Sequence, residues 1–372
     1  MGSSKKLFGG AGVSGGLSAS DVFSVDLYTG NGTEQVVTTG VDYTEGALVY
    51  FKRRASSGNE QWFVFNTEVG SGYKYLKFDA ADSEDFGSLA DGIKTFSSNS
   101  ITLDHYVVGT TNSNGYNMRV VSIRKAENFF DILTWTGDGS GDRNLSHSLN
   151  NDIGFCMIKC RSTSSTNWET SHISRTHQAS GNNVRGMRIN PDGSSNFLGE
   201  SNSDNAFGSS MYNTSYPLGG LDETTTLRVD SDHNQNGRTY IAFLFAHDTS
   251  DSSLIKCGTF NTSSTTSHQA ITLGWRPQWL LFKATTVGTG LGLSQGGFEE
   301  YDVVRGLSTA EDTSINTQEI TWGDSTNAET NRSSDIRTTS TGFSVNPSAV
   351  GGTINGSNAT NIIQYVAIRE DE

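Results

Sequence analysis

The stretch LYTGNGTEQVVTTGV (27–41) leads to ALVYFKRR (47–54), and the same order returns as TWTGDGSGDRNLSHSL (134–149) leading to GFCMIKCR (154–161). Tyr28 precedes Lys52 by the same number of residues as Trp135 precedes Lys159. A looser third copy, CGTFNTSSTTSHQAITLGW (257–275) followed by QWLLFKA (278–284), shortens that spacing by one residue. The copies also close alike, on NSNGYNMRVVSIRK (112–125), NQNGRTYIAFLFAHD (234–248) and, more loosely, INGSNATNIIQYVAIRED (354–371). Self-similarity of this kind marks a duplicated structural unit.

Each copy has a physical reading. Thr-Gly-Asn-Gly and Thr-Gly-Asp-Gly supply the positive φ angles of tight turns, so an aromatic followed by either reads as a strand running into a hairpin loop. The runs ALVYFK, FCMIK and WLLFK are apolar throughout and end on a cation. Each predicts a strand buried on both faces, in the middle of a sheet. Asn-Gly just before the closing segment predicts a hairpin or strand entry there. Polar stretches such as 175–226 and 305–342 read as extended loops with short strands. The expected fold is all-β: three tandem antiparallel β-sandwich-like repeat units over 22–126, 127–248 and 249–372, behind a Gly-rich N-terminal arm over 1–21. The cores should hold Trp62, Phe63 and Phe65, then Phe155, Met157 and Ile158, then Trp279, Leu281 and Phe282. Linkers at 127–131 and 247–253 are short, so the units should pack as a rigid rod or a compact cluster.

Composition points the same way. Of 372 residues, 42 are Gly, 4 are Pro and 34% are hydrophobic. About a third are Ser, Thr or Asn, which weaken helix interiors and favour turns, and this excludes an all-α chain. The 19 Phe, 12 Tyr and 6 Trp still supply apolar surface for real cores. A net charge of −14 repels phosphate, so nucleic acid is not an expected partner. The one basic cluster within the units, Lys52-Arg53-Arg54, reads as a solvated strand end. No apolar leader opens the chain and no run of 18 apolar residues occurs, so a soluble protein made in the cytoplasm, without membrane insertion, is expected. Cys156 and Cys160 would lie about 13 Å apart on one face of a strand, beyond disulfide reach, and with Cys257 they read as small core residues.

Little in the chain points to catalysis. Glu299, Glu300 and Asp302 fall together in GGFEEYD and read as a solvated loop rather than as two carboxylates facing each other across a cleft. Asp230, Asp232, Asn234 and Asn236 have the alternating oxygen ligands of a calcium loop, but Gln235 and Ile241 stand where its glycine and bidentate glutamate belong, so a hairpin explains Asn-Gly better. Ser146 and His147 are strand neighbours whose side chains point to opposite faces. His172 and His177 sit near Arg175 without a nucleophile, and Gly288-Thr-Gly290-Leu-Gly292 lacks dinucleotide spacing. No cofactor or metal is expected. Trp168, Tyr212, Tyr216 and Trp322 stand in polar company suited to stacking a sugar ring, and are the candidate glycan-binding residues, against the alternative that each anchors a loop. In the arm, Lys5, Lys6, Leu7 and Phe8 form the candidate docking element for a partner, unless the arm is a disordered tail.

These residues suggest a family. The strings YTGNGT, LVYFKRR, TWTGDGSG, MIKCR, YIAFLFAHD and YDVVRG resemble the repeat modules of structural and tail-appendage proteins in marine tailed bacteriophages. Asp302, Arg305 and Gly306 match its Asp/Asn-x-x-Arg-Gly element, and Gly237, Tyr240 and Ala242 match its closing strand. The resemblance covers roughly 22–371. The first unit departs from it, with NTEVGSG (66–72) in place of the Arg-Gly element. The resemblance implies a virion component, of tail fibre or adaptor type, that attaches to host surfaces by non-catalytic binding. Its expected partners are other virion proteins, further copies of itself in a homo-oligomer, and a host cell-surface glycan. A capsid decoration protein and a carbohydrate-active enzyme are the alternatives.

Overall fold

The computed structural model describes residues 16–54, 62–69, 74–86, 92–105, 111–141, 143–173, 224–229, 231–261, 269–284, 298–309, 318–322, 329–332, 336–345 and 362–371, with short paired strands at 178–179, 183–184 and 187–188. Four strands recur in each unit. In the first, β1 (Phe23–Thr29), β2 (Ala47–Arg53), β3 (Trp62–Asn66) and β4 (Asn117–Arg124) lie in the order β1-β4-β2-β3. In the second, β5 (Phe130–Thr136), β6 (Ile153–Cys160), β7 (Glu169–His172) and β8 (Thr239–Ala246) lie in the order β5-β8-β6-β7. In the third, β9 (Ile255–Asn261), β10 (Pro277–Ala284), β11 (Phe298–Asp302) and β12 (Ile362–Arg369) repeat it as β9-β12-β10-β11. All of these pairs are antiparallel. The all-β, sandwich-like architecture is thus established, and the apolar runs ending in Lys are the central strands β2, β6 and β10.

The pleat decides what each face of a central strand meets. One face turns to its own unit's smaller sheet. In the first unit Val49, Phe51, Phe63 and Phe65 pack against Val37, Ile93, Ile101 and Leu103 of that second layer. In the third, Leu280 and Phe282 pack against Ile336, Phe343 and Val345. The other face carries Leu48 and Tyr50 from β2, Phe155 and Met157 from β6, and Trp279 from β10, with Leu281 packed against them, and these belong to one core shared by all three units. At about 1.5–3 kcal/mol per large side chain buried, this common core welds the units together. The result is a compact cluster and not a rod.

Contacts between the units close a ring. The first meets the second where Phe78 packs on Trp168, ring centroids 5.1 Å apart, and where Arg161 pairs with Glu84 at 2.8 Å. The second meets the third through Phe155 and Phe298, and through His172 Nε2, 3.0 Å from the Tyr365 carbonyl oxygen. The third returns to the first through Phe23 and Trp279. Near the same seam, the backbone N–H groups of Ala19 and Ser20 donate to the Asp371 carboxylate at 2.6 and 2.8 Å, tying the start of the described chain to its end.

The repeated turn motifs form a clasp. Because β1 pairs with β4, the Thr-Gly-Asn-Gly turn abuts the Asn-Ser-Asn-Gly turn. Asn112 is buried between them: its Oδ1 accepts from Asn31 N at 3.0 Å and its Nδ2 donates to the Asp104 carbonyl at 3.0 Å. Asn234 does the same in the second unit, accepting from Asp138 N at 3.2 Å and donating to Asp138 Oδ1 at 2.6 Å. The aromatic that opens each motif ties down the same loop. Tyr28 OH donates to the Thr111 carbonyl, and Trp135 Nε1 donates to the His233 carbonyl at 2.9 Å. Glycine is obligatory at Gly137, where a Cβ would stand 2.1 Å from the Gln235 carbonyl oxygen. Asn234 therefore spends its side chain on the clasp, and the Asp232–Gly237 string is a strand entry, with Gly237 at φ 76°.

The structure corrects the reading of Lys52-Arg53-Arg54. Lys52 is buried, its ammonium 5.0 Å from the Trp62 ring centroid. Arg53 lies over Tyr116, and Arg54 Nε donates to Glu329 at 2.7 Å. The lysine recurs: Lys159 and Lys283 hold the same register and are buried too, with Lys283 4.6 Å from the Phe298 ring centroid. Neighbouring strands place an aromatic opposite the Lys52 and Lys283 stems, so these cations are desolvated over π faces rather than hydrated. The three cysteines are free and buried. Among the described residues no helix is long and apolar enough to cross a membrane.

Candidate functional site at the seam between the first and third units

The densest buried chemistry lies where the third unit closes on the first. Alternation along β11 sends Glu300 and Asp302 to the inner face, toward the first unit, and Glu299 and Tyr301 to the face packed on the third unit's own core. Glu299, Glu300 and Asp302 are all buried, which overturns the expectation of a solvated acidic loop. They lie on a strand paired on both sides, with β10 and with Gln318–Trp322, so water is excluded and the acids are paired instead. Tyr301 OH donates to Glu299 Oε2 at 2.9 Å.

Glu300 is the centre of the seam. Arg119, on β4, grips it with both terminal guanidinium nitrogens, one of them 2.9 Å from Oε2, and also lies 3.4 Å from Asp302. Tyr50 OH donates to Glu300 Oε1 at 2.7 Å, and Trp279 Nε1 donates to the same oxygen. Burial alone would raise the Glu300 carboxyl; the Arg119 charge and hydrogen bond, with Arg305 and Trp279, outweigh it and hold the group below the usual carboxylate range. Burial would likewise lower Arg119, but Glu300 and Asp302 keep it firmly protonated.

Asp302, Arg305 and Gly306 form one local device. Asp302 caps the 3-10 turn Val303–Arg305, accepting from Arg305 N at 2.9 Å, and Arg305 Nε folds back onto Asp302 Oδ2 at 2.6 Å. Gly306 ends the turn in the left-handed region at φ 99°. Arg305 then reaches Glu329 at 3.1 Å, where Arg54 of the first unit also docks. A chain of alternating charges thus runs Glu300, Arg119, Asp302, Arg305, Glu329, Arg54 across the seam. Beside it lies a cavity of about 40 Å³ lined by Tyr50, Trp62, Phe78, Met157, Trp279 and Phe298, among others, drawn from all three units. Chemically the arrangement locks two surfaces together; both inward carboxylates, Glu300 and Asp302, are already held by arginines.

The candidate sugar-binding residues fare differently. Trp168 is fully buried, stacked on Phe243 and tilted against Phe78, with its indole donating to the Lys77 carbonyl at 2.7 Å. It is removed from the candidates, because its place one residue before β7 sets it in the junction of the first two units. Trp322 ends a strand, its backbone paired with Glu299 rather than in a turn, and its side chain lies outside the described residues. Tyr212, Tyr216, Lys5, Lys6, Leu7 and Phe8 also lie outside them. His172 is buried on β7. Sequence reasoning missed Arg119, which sits unannounced in an alternating strand; only the Asp-x-x-Arg-Gly string hinted at the seam.

Fold and seam together define a class: a triplicated antiparallel β module whose copies close on a common core. The chain belongs to the family described as domain of unknown function DUF7483, which matches residues 18–370. No curated protein matches it.

Proposed function

We propose that the protein is a structural component of a tailed-phage particle, a tail fibre or adaptor-type appendage that engages the host surface by binding without catalysis. The observation that carries this reading is the use made of the buried charges. Glu300, Asp302, Arg119 and Arg305 pair with one another at a seam between units, so the strongest chemistry in the molecule serves rigidity. A carbohydrate-active enzyme needs one free acid opposite another; Glu300, clamped by Arg119 and held ionised, suits a lock better than a proton donor. A rigid body of three fused modules suits an appendage that transmits force and presents loops. Repetition in a homo-oligomer would add avidity to weak contacts.

Purified particles give the test. Mass spectrometry should find the chain in intact virions, a labelled map should place it on the tail, and the isolated protein should bind host cells. A head-surface position would favour decoration. Absence from particles would overturn the proposal.

A further inference from the structure

Equivalent positions of the three central strands meet at the cavity beside the seam. Tyr50 on β2, Met157 on β6 and Leu281 on β10 each stand two residues before the buried lysine of their own strand, and all three line it. Its volume is about 40 Å³. One water needs about 10–15 Å³ and two to four polar partners, so there is room for roughly three waters and little to hold them. The lining is almost wholly apolar. The Tyr50 hydroxyl, the Trp279 indole N–H and the Glu300 carboxylate are spent on one another and on Arg119. The walls are also held apart. Tyr50, Trp62 and Phe78 form a triad of rings with centroids 5.5–6.0 Å from one another, and Tyr50 and Trp279 are pinned at their polar ends on Glu300. A core site that cannot relax keeps its void, and its lining forgoes dispersion contacts.

We infer that this cavity is a binding site for one small apolar molecule, of a few heavy atoms and without hydrogen-bonding groups. Such a guest breaks no hydrogen bond on entry and restores the contacts the lining lacks. The rings of Tyr50, Trp62 and Trp279 and the thioether of Met157 are polarizable, which favours a polarizable guest. The site is formed before the ligand arrives, so little ordering opposes binding. Because the lining is drawn from all three units, the guest binds the closed cluster and not separated units, and so stabilises the closed form. The site lies in the shared core and is independent of the attachment role proposed above.

Xenon is the probe, applied to the full chain. Crystals held under xenon should show a strong anomalous peak between Tyr50, Met157 and Leu281. In solution the Met157 methyl resonance should shift saturably with xenon pressure, while that of Met118, buried in the first unit's own core, should stay in place. The melting temperature should rise above its value under the same pressure of helium. These readouts need no variant to fold. Met157→Phe, which pushes a larger side chain into the void, should lose most of the bound xenon. Ordered waters filling the cavity, no xenon peak there, or equal shifts at Met118 and Met157 would overturn the inference. A folded Met157→Phe protein that takes up xenon as wild type does would overturn it too.

Discussion

Two side chains show how burial sets behaviour at the residue scale. Trp168 fills the junction of the first two units, and its indole N–H has a carbonyl partner. Trp168→Ala should cost about 3–5 kcal/mol, the range for emptying an aromatic site in a core, read from the urea midpoint. Asp26 behaves in the opposite sense. Burial, partly offset by Ser24, lifts its carboxyl from the ordinary range to about 6. The folded state holds this proton more tightly than the unfolded chain, so this group's contribution is full below about pH 4 and is lost as pH rises through 6. Asp26→Asn should therefore raise the melting temperature at pH 7.5 and change it little at pH 4.5. A flat difference across that range would contradict the assignment.

At the scale of elements, the clasp is the device that repeats. It joins the end of the first strand to the start of the last, and so fixes the register of the pair that flanks the central strand. Gly137→Ala drives a methyl onto the Gln235 carbonyl, and should cost on the order of 2 kcal/mol or more. Gly141→Ala, which meets open space four residues later, should fall within about 0.5 kcal/mol of wild type. Thermal melts of the two variants side by side separate a close approach from a general dislike of alanine in turns. In the third unit Phe260 stands where Tyr28 and Trp135 donate a hydrogen bond, and has no group to give. The looseness of the third copy in sequence begins at that residue.

At the scale of the whole molecule, two junctions are tied by short linkers and the third is tied by charge. Glu300→Gln removes the carboxylate from a buried arginine and should cost about 3–5 kcal/mol, whereas Glu300→Leu combined with Arg119→Met should recover much of it. Because Glu300 is held below the ordinary carboxylate range, its stabilisation is complete above the unfolded-state value near 4.5 and is lost only as pH falls through the lower folded value. Acid should thus open this seam only at pH values below that unfolded-state value. Trp279, whose indole rests on Glu300, would report it by fluorescence, and amide exchange should rise first in β4 and β11. Simultaneous exchange throughout all three sheets would refute a seam that opens first.

What the sequence determined by itself was everything carried by short-range pattern. The triplicate strings, the turn glycines and the apolar runs dictate local backbone conformation, and local conformation is written in adjacent residues. So the all-β class and the central strands β2, β6 and β10 were legible from the chain alone. The contact of each opening aromatic with the clasp loop was half visible, as two motifs not yet known to touch. Only the tertiary structure decided which charges are buried. Lys52, Glu300 and Asp302 look like surface residues in sequence because a charge is solvated by default, and what removes its water is a neighbour on another strand: Trp62, across the adjacent strand of the same sheet, for Lys52, and Arg119, from a different unit, for the others. Arg119 meets those two acids only once the third unit has closed on the first.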